Sequence, residues 1–188
     1  MDFEERAQFA ISVERQGGRV CRWLPLIAGL AYVLPADKAL VRTLREGVWD
    51  EPDVVVYALG RKDPETGAKA TWNLEAIEAP LLWERTKGAG VEIAIVDTGV
   101  DLQHPGLMQR VAAGLNVVDP TVPPDDDNGH GTHVAGIAAG EWDAGSGVAP
   151  EATVVPVKVL DSQGMGSLSG VVEGLHWCLA RRIPIINL

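Results

Sequence analysis

Two short stretches of this chain carry residue types with complementary chemistry. The first, Val91-Glu92-Ile93-Ala94-Ile95-Val96-Asp97-Thr98-Gly99-Val100-Asp101, contains an apolar run that ends in a carboxylate. The second, Asn128-Gly129-His130-Gly131-Thr132-His133-Val134-Ala135-Gly136, sets a histidine between two glycines at the opening of a helix-like segment. An imidazole that takes a proton from a hydroxyl needs one ring nitrogen free. The other must be held by a carboxylate, which fixes the tautomer and stabilises the cation that forms. Asp97 and His130 suit these roles. Gly129 and Gly131 remove side chains on both sides of the ring, and a helix N-terminus disfavours the imidazolium until a substrate proton arrives. Taken singly, Asp97 reads equally well as a turn-capping core residue and His130 as a satisfied loop histidine. The two complete motifs in this order favour the catalytic pair.

The surrounding pattern supplies elements able to position the pair. A β-branched, apolar strand ending in Asp-Thr-Gly delivers its carboxylate at the C-terminal edge of a parallel sheet, where α/β proteins keep their sites. Thr153 to Leu160 is nearly unbroken in β-formers, as a strand covered on both faces should be. Leu168 to Arg181 places Val171, Val172, Leu175 and Leu179 on a helical stripe, and Ile183 begins a further strand. This predicts an α/β fold.

The Asp97 and His130 stretches resemble the Asp and His motifs of the subtilisin-like serine proteases, the peptidase S8 family, whose catalytic residues follow the order Asp, His, Ser. No serine of this chain lies in the family's Gly-Thr-Ser-Met-Ala setting. The resemblance therefore implies a serine endopeptidase present as part of its catalytic domain. This polypeptide alone is expected to be inactive, since the strand wall of the cleft and the oxyanion Asn after Leu188 are also missing. It further implies that Leu160, Gly164, Met165, Gly166 and Leu168 form an extended segment that pairs with a peptide substrate and lines apolar subsites. An ordinary glycine turn is the competing reading of that segment. His133 and His104 are assigned structural roles by the same resemblance, and His176, beside Trp177, reads as a packed or surface histidine. Gly106 and the short Glu141 to Gly147 loop depart from the family's common calcium site. No metal or other cofactor is expected, and Asp125-Asp126-Asp127 reads as a solvated acidic loop rather than a cation site.

The N-terminal part has its own pattern. Phe3 to Arg15 suits an amphipathic helix closed by Gly17-Gly18, β-favouring stretches surround Pro25 and Gly29, Ala36 to Glu46 has helical spacing, and Val54 to Leu59 signals a buried strand. The order resembles the inhibitor-type (I9) propeptide of subtilisin precursors, although that fold begins with a strand and this chain begins with a helix. The expected organisation is a small α+β propeptide domain over residues 1–60 and a linker over 61–71. Residues 72–188 then form the N-terminal portion of a parallel-sheet subtilisin-like catalytic domain. Expected partners are peptide or protein substrates in the full-length enzyme, and the propeptide with its own catalytic domain. A different reading is a non-catalytic inhibitor or intramolecular chaperone fused to a degenerate protease fragment.

Composition is consistent with either reading. The 188 residues carry a net charge of −10, and residues 71–188 hold 15 acidic against 6 basic side chains. Such a surface disfavours nucleic-acid binding. Cys21 and Cys178 fall in different units and are expected to be two separate buried thiols. The acidic N-terminus lacks the pattern of a signal peptide, so a cytoplasmic location is expected if Met1 is the true start and secretion if it is not. The run Trp23 to Leu34 is too short for a bilayer span. With later strands and helices missing, the chain is expected to expose apolar surface and to self-associate.

Overall fold

The computed structural model describes residues 3–35, 52–58, 72–142 and 145–188. Helix α1 (Phe3–Arg15) packs on an antiparallel hairpin of β1 (Arg19–Leu24) and β2 (Gly29–Val33), joined by a 3-10 turn at Pro25–Ile27. Val13, on the inner face of α1, is fully buried, and the rings of Phe9 and Tyr32 meet edge to face at 5.5 Å. The helix expected over Ala36 to Glu46 lies outside the described residues, as does Leu59. Strand β3 (Val55–Tyr57) comes next. It is not the buried strand its sequence suggests: Val55 and Tyr57 are more than half exposed. The reason is its position, since β3 pairs with a surface segment and turns only alternate side chains inward.

Residues 72–188 build the main sheet. The elements are α2 (Trp72–Ala76), β4 (Glu92–Asp97), β5 (Leu115–Asn116), α3 (His130–Ala139), β6 (Glu141–Trp142), β7 (Gly145–Ser146), β8 (Thr153–Lys158), β9 (Met165–Ser167), α4 (Leu168–Ala180) and β10 (Ile185–Asn187). A four-stranded sheet runs β10-β4-β8-β5, and every pairing within it is parallel. Both faces are covered, which explains why β4 and β8 are apolar throughout rather than alternating.

The alternation instead sorts residues between two cores. Ile93 and Ile95 of β4, with Val154 of β8, pack with Ala135 and Ala139 of α3. Ala94 and Val96, with Val155 and Val157, pack with Cys178 of α4. Each fully buried Ile or Val contributes about 1.5–3 kcal/mol through burial. The period of two also decides where the strand ends point. Asp97 continues the Ile93 and Ile95 series and so emerges on the α3 face. Lys158, its register partner on β8, continues the Val154 series onto the same face.

Candidate active site

Helix α3 comes close to β4 because its inner face is small. A Cβ at Gly131 would lie 2.1 Å from the Gly99 carbonyl oxygen and 3.2 Å from Asp97 Cβ, so only glycine allows this approach. Gly129, the residue before the helix, has φ +101°, a conformation that side chains with a Cβ rarely adopt. These two glycines bring His130, at the first position of α3, over the end of β4. His130 Nδ1 lies 2.8 Å from Asp97 Oδ1 and 2.9 Å from Oδ2. Against an ionised carboxylate Nδ1 donates, which makes Nε2 the acceptor-type nitrogen of the neutral ring. The Asp97 side chain is largely buried, whereas the imidazole is about a quarter exposed. The buried carboxylate also accepts from Thr98 N–H at 2.7 Å. With Nδ1 fixed by a carboxylate, the ring is held in the tautomer whose Nε2 carries the basic lone pair, as a general base requires.

The acidic loop before α3 corrects the expectation of a merely solvated stretch. Asp126 turns inward and accepts from Thr98 Oγ1, from the Asn128 and Gly129 N–H groups, and from both the N–H and hydroxyl of Thr132. Partial burial opposes ionisation, but these hydrogen bonds outweigh it and hold the Asp126 carboxyl below the ordinary carboxylate range. Asp127 pairs with the buried Lys158 Nζ at 2.6 Å, and Lys158 also donates to the Thr98 carbonyl at 2.5 Å. Asp125 accepts from Leu102 N–H at 3.1 Å. Through these partners the loop bridges the end of β4 and the start of α3.

The segment predicted to meet substrate forms one strip. Leu160 is buried in the α4-side core, Gly164 adopts φ +72°, and Met165 and Gly166 lie in β9, with Leu168 opening α4. In this structure the strip is paired with β3: Val55, Val56 and Tyr57 oppose Ser167, Gly166 and Met165 in antiparallel register. Ala58 N–H donates to the Gly164 carbonyl at 2.8 Å, and Leu168 N–H to that of Val54 at 2.9 Å. The strip lies beside the His130 loop, since Asn128 Nδ2 donates to the Ser162 carbonyl at 2.9 Å.

Other side chains of the N-terminal part reach α4. Arg22 pairs with Glu173 at 2.7 Å, and Asp53 accepts from the N–H and hydroxyl of Ser169.

The remaining histidines and thiols are elsewhere. His104 Nδ1 accepts from Gly106 N–H, and His104 and His133 line a cleft of about 500 Å³ with Asn73, Leu74 and Ile137. Cys178 is buried, and burial pushes its thiol up to about 11. Cys21 is exposed, contrary to expectation, because among the described residues no layer covers the outer face of the β1-β2 hairpin. Among the described residues no group of three or more His, Cys, Asp or Glu side chains is placed to hold a metal ion.

Comparison with known proteins settles the ancestry. The peptidase S8 profile, described as the subtilase family, matches residues 88–188, more than half of the chain. The chain belongs to the subtilase family. An intracellular serine protease of Paenibacillus polymyxa is 43% identical over 126 residues, covering 61% of this chain and 37% of that protein. Subtilisin E of Bacillus subtilis (strain 168) is 33% identical over 179 residues, covering 94% of this chain and 45% of that protein. A crystal structure of a cold adapted subtilisin-like serine proteinase is 38% identical, with a TM-score of 0.48, over 51% of this chain and 34% of that one. This subtilase chain thus spans less than half the length of these relatives. The family is one of serine endopeptidases.

Asp97, His130 and the 160–168 strip are the residues singled out from the sequence; Thr98, Thr132 and Lys158 were not among them, and Asp126 was read only as part of a solvated loop. A signal for Lys158 was available, because a lone lysine inside an apolar strand must find partners when buried. Asp126 could have been noticed as a carboxylate three residues before the glycine that precedes a helix.

Proposed function

We propose that this chain provides the base and its orienting carboxylate for a subtilisin-like serine endopeptidase. The nucleophilic serine would be contributed by sequence outside residues 1–188. The observation that carries this reading is the Asp97 carboxylate 2.8 Å from His130 Nδ1, which sets the ring in the tautomer whose Nε2 is the base. A serine hydroxyl would lose its proton to Nε2 as its oxygen bonds to the substrate carbonyl carbon. The proton would then pass to the departing amine as the C–N bond breaks. Without that serine no acyl-enzyme can form, so residues 1–188 alone are inactive.

The same reading takes residues 1–60 as an inhibitory propeptide, 61–71 as a linker and 72–188 as catalytic-domain sequence. The support is the pairing of β3 with β9. Main-chain pairing of residues 54–58 engages the strip from Gly164 through Met165 and Gly166 to Leu168, as an extended substrate would, and the same reading makes Leu160 the buried apolar residue at the start of that strip. Proteins and peptides are the substrate class.

The test is a protein-hydrolysis assay on the chain completed with the catalytic segment that comes next in its relatives. Activity should fall on the order of 10⁴-fold or more on His130→Ala and on Asp97→Ala. Full activity in either variant overturns the assignment.

A further inference from the structure

Thr98 has no exposed surface, and all of its polar groups are engaged. Its N–H donates to Asp97 Oδ1 at 2.7 Å, and its hydroxyl donates to Asp126 Oδ1 at 2.8 Å. That hydroxyl also accepts from Gly131 N–H at 3.0 Å, and the carbonyl accepts from Lys158 Nζ. Thr98 therefore touches both halves of the catalytic pair: Asp97 directly, and His130 through the adjoining peptide of α3. Asp126 completes the connection. Its Oδ1 holds Thr98 and the loop amides of Asn128 and Gly129, while its Oδ2 holds the amide and hydroxyl of Thr132 in the first turn of α3. The Thr132 hydroxyl in turn accepts from Asp101 N–H at 2.8 Å, tying the same turn to the chain after β4.

We propose that Asp126 is a positioning residue for the Asp97–His130 pair, acting through Thr98 on the β4 side and the first turn of α3 on the other. The proposal rests on the functional reading above. The physical argument is one of tolerance. A hydrogen bond of 2.8 Å loses its geometry when its two bearing elements shift by about 0.5 Å, and sites hold such tolerances only where supporting hydrogen bonds lock the elements. The packing of small residues between α3 and β4 sets how close the elements come, but leaves the helix free to slide along the strand. Directional bonds from a single carboxylate to Thr98 and to Thr132 oppose that slide. An ionised carboxylate suits the task because both oxygens accept several bonds at once. An amide in its place would turn an NH₂ toward donors. The lowered pKa of the Asp126 carboxyl, opposed by its partial burial but held down by these hydrogen bonds, is consistent with a carboxylate that stays charged in the folded chain.

The experiment reads the His130 tautomer by long-range ¹H–¹⁵N correlation in the full chain above the titration range of its imidazole. In the unsubstituted chain the Nδ1–H form should dominate. Asp126→Asn should shift the population toward the Nε2–H form that a free imidazole favours, with the circular dichroism of the fold retained. Thr98→Val, which keeps the volume and removes the hydroxyl, should do the same, and Thr98→Ser should restore the Nδ1–H form. A residue that merely capped α3 would lower stability and leave the tautomer alone. Folded Asp126→Asn and Thr98→Val chains with the unsubstituted tautomer overturn the proposal. If Asp126→Asn does not fold, Thr98→Val decides. Dominance of Nε2–H in the unsubstituted chain overturns the functional reading itself, and the proposal with it.

Discussion

Adding one methyl group at Gly131 should separate Asp97 from His130 more effectively than it destabilises the fold. A Cβ there would stand 2.1 Å from the Gly99 oxygen, whereas carbon and oxygen rest at about 3.3 Å. Helix α3 must therefore retreat by about 1 Å. The His130 to Asp97 bond, now 2.8 Å, would stretch toward about 4 Å and cease to be a hydrogen bond. The energetic terms partly cancel. Overpacking costs about 1–3 kcal/mol, while replacing a helical glycine by alanine returns about 1 kcal/mol. The net loss is then about 0–2 kcal/mol. Gly129→Ala provides the contrast. A Cβ at Gly129 meets nothing within 4 Å, so its cost is backbone strain at φ +101°, about 1–3 kcal/mol, with no displacement of the helix. Urea unfolding measures the first quantity and the His130 tautomer the second. Gly131→Ala should lose the Nδ1–H tautomer at modest cost in stability, and Gly129→Ala should lose stability and keep the tautomer. A Gly131→Ala chain that retains Nδ1–H would refute the claim that this close approach sets the pair.

The same structure carries further testable outcomes. Because the Asp126 carboxyl titrates below its ordinary value, its stabilising contribution is complete above about pH 4 and is lost as pH falls through its lower folded value. Urea midpoints measured down the acid range should therefore drop less steeply in Asp126→Asn than in the unsubstituted chain. Cys21 should react promptly with a thiol reagent at neutral pH while Cys178, buried and titrating at about 11, reacts only on unfolding; two equally fast thiols would contradict this packing. Arg22→Ala should cost under about 1 kcal/mol, since the pair with Glu173 is partly solvated, but should speed amide exchange in β1 and β2. Unchanged exchange would show that this ion pair does not tie the hairpin to α4.

The α/β fold was legible because β4 and β8 carry unbroken apolar runs, which only strands covered on both faces require. The meeting of Asp97 and His130 was legible because flanking glycines mark a close approach that few other arrangements need. What escaped was the support around them. Asp126 sits in a triple-Asp run whose composition resembles solvent-facing loops, and only the fold shows that one carboxylate turns inward to five donors. Strand β3 was misread in burial because the Val54 to Leu59 run looks like core, yet its neighbour is a surface strip rather than a second layer. Cys21 was misread for a related reason: a hairpin of this size offers one inner face, and sequence alone does not say which side receives the helix.

The central claim is that Asp97 and His130 serve a serine supplied from outside residues 1–188, and fluorophosphonate labelling tests it most directly. Residues 1–188 and the chain completed with the next subtilase segment would be treated side by side, each with and without His130→Ala. The account predicts labelling of the completed chain alone, abolished by His130→Ala. Labelling of residues 1–188 that disappears on His130→Ala would contradict it, as would labelling of the completed chain that is indifferent to His130.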